Sequence, residues 1–225
     1  MMDIKYNLET IKSQITSEVQ LVAVSKTKPV EAILDAYHAG QRIFGENKAQ
    51  EMAEKYNVLP KDIQWHFIGH LQTNKVKYIA PFVSLIHSID SFKLLAYINK
   101  EAEKNNRVID CLLQFYIATE ESKFGFDLQE AETMLDSSEY TLMKNIRLAG
   151  VMGMATYTDN LDLIKSEFKQ LKTYFDILKQ TYFKNDSQFK EISMGMSGDY
   201  LQAIEEGSTL VRIGSSIFGE RNYIK

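Results

Sequence analysis

Eight short apolar runs, each followed by a polar or helical stretch, constrain the fold of this 225-residue chain more than any other feature. The runs span residues 21–26, 42–46, 63–69, 84–89, 109–117, 147–154, 191–196 and 209–214. They are apolar on both faces, which is typical of parallel strands covered by helices. Amphipathic patterns lie between them, most clearly at 160–181. The sequence therefore predicts a single (β/α)8 TIM barrel, with an open doubly wound sheet as the alternative.

The segments outside the eight runs predict how such a barrel is closed. Residues 1–20 carry apolar residues at helical spacing and are expected to form an extra N-terminal helix. The residues after the last run are too few for a full final helix, so the N-terminal helix is expected to cover that place. Since no Pro-, Gly- or Ser-rich linker divides the chain, we expect one domain over 1–225, with the barrel at 21–218 and a tail at 219–225.

Charge and cysteine content exclude several classes of function. A formal net charge of -4 gives no general attraction to nucleic acid or to anionic lipid. No stretch approaches the roughly 18 apolar residues that cross a bilayer, and the first residues lack the apolar segment of a signal peptide. Cys111 is the only cysteine and lies in an apolar run. We expect a cytoplasmic monomer without nucleic-acid or membrane partners, in which Cys111 is a buried hydrophobic residue.

Lys26 ends the first apolar run, at the edge of a barrel where enzymes and binding proteins place their sites. An amine that is partly desolvated by apolar neighbours is the nucleophile that forms Schiff bases with aldehydes. Lys26 is therefore the leading candidate for a covalent cofactor anchor. A solvated loop lysine is the alternative, and the residues by themselves do not separate Lys26 from Lys28.

Small residues follow the seventh and eighth predicted strands. The stretch 193–199 reads SMGMSGD and the stretch 212–216 reads RIGSS. Such residues let backbone N–H groups approach an anion, and barrels commonly bind phosphate in these two loops. A phosphorylated ligand is the natural expectation, although Ser and Gly are also ordinary turn residues.

Other polar residues at the strand ends favour structural roles. Glu46 is expected to pair with a lysine, His66 and His87 to be structural histidines, and His70 to be an exposed loop residue. No His or Cys cluster has the spacing of metal ligands, and no motif for dinucleotide, nucleotide or serine-hydrolase chemistry is present. The sequence predicts no metal site.

Five motifs in this order resemble those of the YggS/PROSC family, the pyridoxal phosphate homeostasis proteins. They are AVSKTKP at 23–29, FGENKAQE at 44–51, WHFIGHLQTNK at 65–75, SMGMSGDY at 193–200 and RIGSSIFGER at 212–221. The resemblance covers nearly the whole chain. It implies the barrel of the alanine racemase N-terminal domain, with pyridoxal 5′-phosphate (PLP) bound as a lysine Schiff base, the internal aldimine, and no established catalytic activity.

The resemblance also implies the residues of a cofactor site. They are Lys26 as the Schiff-base lysine, Asn47 beside the cofactor, Ser193, Met196, Ser197, Gly214 and Ser215 as the phosphate cradle, and Arg212 facing the pyridine nitrogen. Lys123 resembles a further lysine of the family, and the short tail carries one lysine where the family's tail is more basic. An arginine keeps its proton, so the ring nitrogen stays unprotonated and the ring is a poorer electron sink.

Two functions of different class remain open on the sequence. The first is a binding protein that stores, buffers or delivers PLP to apoenzymes in vitamin B6 homeostasis, without catalytic turnover. The second is a PLP-dependent amino-acid racemase, which would need a further domain to enclose a substrate. Because the barrel consumes the 225 residues, the sequence favours the binding protein.

Overall fold

Eight parallel strands form the centre of the protein. The structure is a computed structural model that describes residues 3–119 and 124–220. The strands are β1 (Gln20–Val24), β2 (Ile43–Glu46), β3 (Gln64–Phe67), β4 (Leu85–Ile89), β5 (Ile109–Gln114), β6 (Ile146–Met152), β7 (Glu191–Ser193) and β8 (Leu210–Ile213). They pair in the order β1 to β8 and close when β1 pairs with β8. The predicted barrel is confirmed, and the open sheet is wrong.

Helices surround this barrel. Within the described residues they are α1 (Ile4–Gln14), α2 (Val30–His38), α3 (Ala49–Val58), α4 (Val76–Ile79), α5 (Phe92–Lys104), α6 (Leu128–Leu135), α7 (Ser138–Thr141), α8 (Leu161–Thr181), α9 (Tyr200–Glu205) and α10 (Ser215–Phe218), with a 3-10 turn at Thr73–Lys75. The helix predicted at 160–181 is confirmed as α8.

Each predicted apolar run contains a strand, but several strands are shorter than their runs. The run 191–196 contains only β7, which ends at Ser193. Gly195 has φ +90°, a left-handed conformation that no strand residue adopts. Regular strand geometry therefore ends at Ser193, although the backbones of Met194 and Gly195 still hydrogen-bond to β8, and the residues after Gly195 form a loop at the barrel mouth.

The N-terminal helix is present but shorter than predicted. The expected span was 1–20, whereas α1 ends at Gln14 and Ile15 is extended, with φ -107° and ψ 146°. Ile15 and Val19 still pack against the core, from a non-helical segment. The side chain of Asn7 donates to the carbonyl of Ile217 at 3.0 Å, which ties α1 to the single-turn helix α10. The prediction that α1 covers the place of a full final helix is confirmed.

The core has two parts because strand side chains alternate between the two faces of the barrel wall. The larger part lies between strands and helices and includes Trp65, Phe67 and the single cysteine, Cys111. The smaller part comes from strands alone and fills the barrel interior with Val22, Leu85, Leu112, Ala149, Met152 and Leu210. Burying each of the Val, Leu and Met side chains contributes roughly 1.5 to 3 kcal/mol. No helix of the described part has the length and apolarity to cross a membrane.

Candidate binding site at the carboxyl-terminal mouth of the barrel

An open cavity of about 640 Å³ lies at the carboxyl ends of the strands. The loop after β1 contributes Lys26 and Lys28, and β8 contributes Arg212. The loops after β7 and β8 contribute Ser197 and Ser215 on the same side. A cavity of this size holds a small phosphorylated molecule. The parallel barrel explains the convergence, since all eight strands end at this mouth.

The turn after β1 carries Lys26 and Lys28, and the side chain of Lys28 is bonded to the end of α10. The amide of Lys28 donates to the carbonyl of Ser25 at 3.0 Å, which closes a turn around Lys26 and Thr27. Lys28 Nζ donates to three consecutive carbonyl oxygens, those of residues 218–220, at 2.9 Å each. The ammonium of Lys28 is thus tied to the end of α10.

Four side chains beneath this turn form a charged network, here called the lysine-turn network: Ser25, Glu46, Glu51 and Lys55. Lys55 Nζ donates to Glu46 Oε1 at 2.8 Å, to Glu51 Oε1 at 2.7 Å and to the carbonyl of Ser25 at 2.8 Å. Ser25 Oγ donates to Glu46 Oε1 at 2.6 Å. The predicted pairing of Glu46 with a lysine is confirmed.

The same network supports an unfavourable backbone conformation. Thr27 has φ +64°, which costs a β-branched residue free energy. Its amide donates to Glu51 Oε1 at 2.7 Å, so a charged acceptor holds the turn in place. Burial raises the pKa of Glu46 even though Lys55 opposes the shift. Desolvation also acts on Glu51, but hydrogen bonds from Lys55 and Thr27 outweigh it and lower the pKa of Glu51.

A second buried group, here called the arginine relay, consists of Arg212, Ser193, His87 and His66. Arg212 Nη1 contacts Ser193 Oγ at 2.6 Å, Ser193 Oγ contacts His87 Nδ1 at 2.8 Å, and His87 Nε2 contacts His66 Nδ1 at 3.0 Å. Strands β4 and β7 are not neighbours, so the contact between His87 and Ser193 crosses the barrel interior. The relay therefore lies inside the barrel, beneath the cavity.

Burial sets the charge of each relay member. It lowers the pKa of His66 to about 3. Burial, with the nearby charges of His66 and Arg212, lowers the pKa of His87 well below its ordinary value. Burial also lowers the pKa of Arg212 to about 10, against the raising effect of Asp199. At neutral pH the relay thus holds one cation and two neutral rings, in agreement with the structural histidines that we predicted.

The structure brings together six of the eight residues expected in the site. The residues that line the cavity are Lys26, Met196, Ser197, Arg212, Gly214 and Ser215. Ser193 is fully buried beneath Arg212, in contact with the guanidinium and not with the phosphate-side loops. Asn47 follows β2 next to Gly69, outside the cavity lining, and its Oδ1 is buried without a partner among the described residues. Lys123 and residues 221–225 lie outside the described part of the chain.

The loops after β7 and β8 offer hydrogen-bond donors to the cavity. Ser197 Oγ accepts from the amide of Gly214 at 3.3 Å, which joins the two loops. Within residues 3–119 and 124–220, the amides of Ser197, Ser215 and Ser216 have no protein acceptor. Amides of this kind, with the serine hydroxyls beside them, match the oxygens of a phosphate group. The donor set fits an anion on this side of the mouth.

Glu167 is a residue of the mouth that the sequence did not indicate. It is buried, and it accepts from the amide of Thr119 at 3.1 Å and from the amide and hydroxyl of Thr156 at 2.7 Å each. Thr156 lines the cavity. A carboxylate on α8 thus holds two rim loops, and no motif marks it. Lys55 and Glu51 did carry a signal, since they stand at i and i+4 on one helix.

His70 is exposed on the rim, as expected, and its side chain contacts two other residues. Its Nδ1 lies 2.9 Å from Asp90 Oδ2, and its ring packs against Phe124. His70 does not line the cavity that contains Lys26. Nothing in these contacts connects His70 with the lysine-turn network or the arginine relay.

Comparison with known proteins identifies the family. The family model described as "Alanine racemase, N-terminal domain" matches residues 2–222. A pyridoxal phosphate homeostasis protein of Aquifex aeolicus is 43% identical over 206 residues, covering 91% of this chain and 88% of the relative. The chain belongs to the family of pyridoxal phosphate homeostasis proteins. A pyridoxal phosphate homeostasis protein of Escherichia coli is 34% identical over 239 residues, covering 100% of both chains.

Solved structures of other proteins have the same barrel. PipY of Synechococcus elongatus with PLP bound superposes with a TM-score of 0.87 and 33% identity, covering 96% of this chain and 100% of PipY. Alanine racemase of Clostridium difficile superposes with a TM-score of 0.74 at 15% identity, covering 99% of this chain but 57% of the racemase. The racemase likeness shows the shared fold alone. The resemblance to the pyridoxal phosphate homeostasis proteins is confirmed.

Proposed function

We propose that this chain binds PLP at the carboxyl-terminal mouth of the barrel and acts in vitamin B6 homeostasis by storing, buffering or delivering it. The observation that carries the proposal is the arrangement of one cavity, with Lys26 and Arg212 in its lining and a set of phosphate-binding donors beside them. The family supports it, because PipY binds PLP and the curated relatives are named for PLP homeostasis. When bound, PLP supplies an aldehyde for an amine and an electron-accepting ring.

Lys26 is proposed as the covalent anchor. Condensation of its amine with the aldehyde forms one carbon–nitrogen double bond and releases one water. Lys28 Nζ donates to the carbonyls of residues 218–220 and would have to give up these bonds to react with an aldehyde. Ser197, Gly214 and Ser215 would hold the phosphate, with Met196 on the same rim, and Arg212 would meet the ring nitrogen.

Ser193 is proposed in an altered role, and Asn47 in the role that the sequence predicts. Ser193 would act on the cofactor through Arg212, since its hydroxyl touches the guanidinium at 2.6 Å. The orphaned Oδ1 of Asn47 is a buried polar atom in need of a partner, which supports a place close to the bound ring.

We also propose that the protein does not turn over amino acids. Arg212 stays cationic and leaves a ring nitrogen unprotonated, which weakens the electron sink. The cavity is open to solvent along the loop that carries Tyr157, whereas PLP catalysis needs water excluded and a placed proton donor. The racemase alternative predicts α-proton exchange. Holo-protein incubated with L-alanine in deuterated water is expected to show none, and rapid exchange that Lys26→Ala abolishes would favour the racemase.

Borohydride reduction of the purified holo-protein tests the anchor. The reduced cofactor is expected on the peptide that contains Lys26, as measured by mass spectrometry. Lys26→Ala should stay folded and lose the covalent adduct, while the matched variant Lys28→Ala should keep it. An adduct found mainly on Lys28 or Lys123 of the wild-type protein would overturn the assignment.

Titration with pyridoxal, which lacks the phosphate, tests the cradle. Each charge-assisted hydrogen bond contributes very roughly 1.5 to 3 kcal/mol, so pyridoxal should bind far more weakly than PLP. Equal affinities would mean that Ser197, Gly214 and Ser215 are ordinary turn residues.

The monomeric state, the cytoplasmic location and the delivery of PLP to apoenzymes stay predictions. So does the division of residues 1–225 into one domain with a barrel at 21–218 and a tail at 219–225. Transfer to an apoenzyme is expected to restore that enzyme's activity when the holo-protein is its only source of PLP.

A further inference from the structure

The arginine relay connects the two mouths of the barrel. His66 lines a second, small cavity of about 180 Å³ at the amino-terminal mouth, together with Gln64, Asp110 and Lys190. Arg212 lines the large cavity at the other mouth. The four relay side chains are each at least 95% buried, with relative exposures of 4%, 0%, 0% and 5% in the order from Arg212 to His66. A buried polar chain of this length is costly unless every member is hydrogen-bonded.

The arginine fixes the direction of every hydrogen bond in the relay. A guanidinium only donates, so Ser193 Oγ accepts from Arg212. Its own hydrogen is then donated to His87 Nδ1, because no other acceptor for it lies among the described residues. His87 carries its hydrogen on Nε2 and donates to His66 Nδ1. His66 in turn carries its hydrogen on Nε2, and that N–H is left for the small cavity.

The hydrogen bonds of Arg212 to protein groups use only some of its N–H donors. Arg212 donates to Ser193 Oγ and, at 3.1 Å, to the carbonyl of Gly153. An arginine has five N–H donors, and no other acceptor for them lies within the described residues. Because Arg212 lines the large cavity, its remaining N–H groups are available to a ligand there. Their direction depends on the two bonds that hold the guanidinium, and the bond to Ser193 depends on His87.

We propose that His87, held by His66, is a positioning residue: it keeps the Ser193 hydroxyl turned as an acceptor for Arg212 and so aims the free N–H groups of Arg212 at the cofactor's ring nitrogen. This inference rests on the proposed PLP binding. If His87 cannot accept, the Ser193 hydrogen loses its acceptor, and the hydroxyl is no longer held in one orientation. Arg212, a long side chain, then gains rotational freedom at the cavity.

The test compares PLP with 1-deaza-PLP, which has a carbon in place of the ring nitrogen and keeps the aldehyde and the phosphate. The wild-type protein should bind PLP about tenfold or more tightly than the deaza analogue, as one hydrogen bond to a charged donor implies. In His87→Leu this ratio should fall to about threefold or less. A general disturbance of the pocket would weaken both ligands equally and leave the ratio unchanged.

Two pairs of variants separate positioning from packing. His87→Asn retains an acceptor atom near the Nδ1 position but fills less space than leucine, so it should preserve the ratio even if it is less stable than His87→Leu. Ser193→Ala should lower the ratio. Ser208→Ala should not, because Ser208 is also a buried serine and its hydroxyl donates, within the described part of the chain, to the carbonyls of Ile192, Met194 and Leu210 alone.

The outcomes distinguish this inference from the proposed function. A wild-type protein that does not bind PLP would contradict both. Binding of PLP with no preference over the deaza analogue, or a preference that survives both His87→Leu and Ser193→Ala, would overturn the positioning role and leave PLP binding intact. If His87→Leu does not fold, the comparison of Ser193→Ala with Ser208→Ala decides the question.

Discussion

The lysine-turn network and the arginine relay lie under the same cavity but stabilise their cations in opposite ways. In the network, Lys55 is bonded to the carboxylates of Glu46 and Glu51. In the relay, Arg212 is bonded to a hydroxyl and a carbonyl, and its charge has no ion-pair partner among the described residues. A charge neutralised by its neighbours serves to hold a turn, whereas a charge left unneutralised can act on a ligand.

The two groups also differ in the length of chain that they join. The network connects residues at most 30 positions apart, in the turn after β1, on β2 and on α3. The relay joins side chains of four strands, β3, β4, β7 and β8, and its Ser193 and His87 lie 106 positions apart. The network should therefore form locally and early, while the relay needs the closed barrel.

Removal of Lys55 should have the largest effect on stability. Lys55→Met leaves Glu46 buried without its cation, and breaking a buried ion pair in this way costs about 3 to 5 kcal/mol. The urea midpoint of unfolding measures the loss. Lys165→Met is the control, because Lys165 pairs with Glu205, both side chains are exposed, and the loss should be far smaller. Equal losses for the two variants would mean that the lysine-turn network is no stronger than a surface pair.

Acidification should lower the free energy of unfolding through His66 of the arginine relay. His66 has a folded-state pKa of about 3, below its unfolded value of 6.5, so the unfolded chain takes up the proton first and stability falls as pH drops below 6.5. By pH 5 the loss from His66 is about 2 kcal/mol. Glu46 acts in the opposite sense because its pKa is raised.

The measurement that isolates this effect is the difference between the wild-type protein and His66→Gln, with unfolding followed from pH 8 to pH 5. The variant should lose less stability on acidification. Asp199 and Arg212 face the relay, and Asp110, Lys190 and Glu191 surround the small cavity; all are shared by both proteins and cancel in the difference. His38→Gln, at an exposed histidine, should behave as the wild type. If His66→Gln and the wild type lose the same stability between pH 8 and pH 5, the prediction is contradicted.

Glu51→Ala should lower the affinity for both ligands without changing their ratio, whereas the arginine relay is expected to set the ratio. The substitution removes the acceptor of the Thr27 amide and one partner of Lys55, at a cost of about 1 to 2 kcal/mol in stability. Because the turn that carries Lys26 is loosened, both PLP and 1-deaza-PLP should bind more weakly by the same factor. Isothermal titration with the two ligands measures this. A changed ratio would show that the network also acts on Arg212.

Thr27→Gly should give the smallest effect, and of the opposite sign. Glycine adopts φ +64° without the steric penalty of a β-branched residue, so the variant should be more stable by up to about 1 kcal/mol, less the entropy that glycine loses on folding. Asn106→Gly is the control, since Asn106 has φ +52° but asparagine tolerates that conformation. A destabilised Thr27→Gly would mean that the threonine side chain, and not Glu51, holds the turn.

The fold could be predicted because its signal is repeated along the chain. Eight runs that are apolar on both faces leave few alternatives to a parallel barrel, and each run contains a strand. The ends were less certain: β7 stops at Ser193 since Gly195 turns the chain, and α1 stops at Gln14 although the apolar pattern continues to Val19. Apolar residues can be buried from an extended segment as well as from a helix.

The site could be predicted only where it is local. Lys26 and the two serine loops follow strands directly, so their place at the mouth is set by topology. Ser193 was assigned to the phosphate cradle by its motif, whereas the alternation along β7 and β8 turns it inward toward Arg212. The contact between His87 and His66, and the bond from Ser193 to His87, could not be predicted, since no spacing in the sequence reports which side chains meet across a barrel.

The three hydrogen bonds from Lys28 to the carbonyls of residues 218–220 join positions about 190 residues apart. They lie beside Lys26 and the loop after β8, so the pocket is built where early and late parts of the chain meet. While the ribosome is still making β8, β1 has no partner on one edge and the phosphate side of the pocket does not exist. The proposed cofactor site is therefore completed only when translation reaches the end of the barrel.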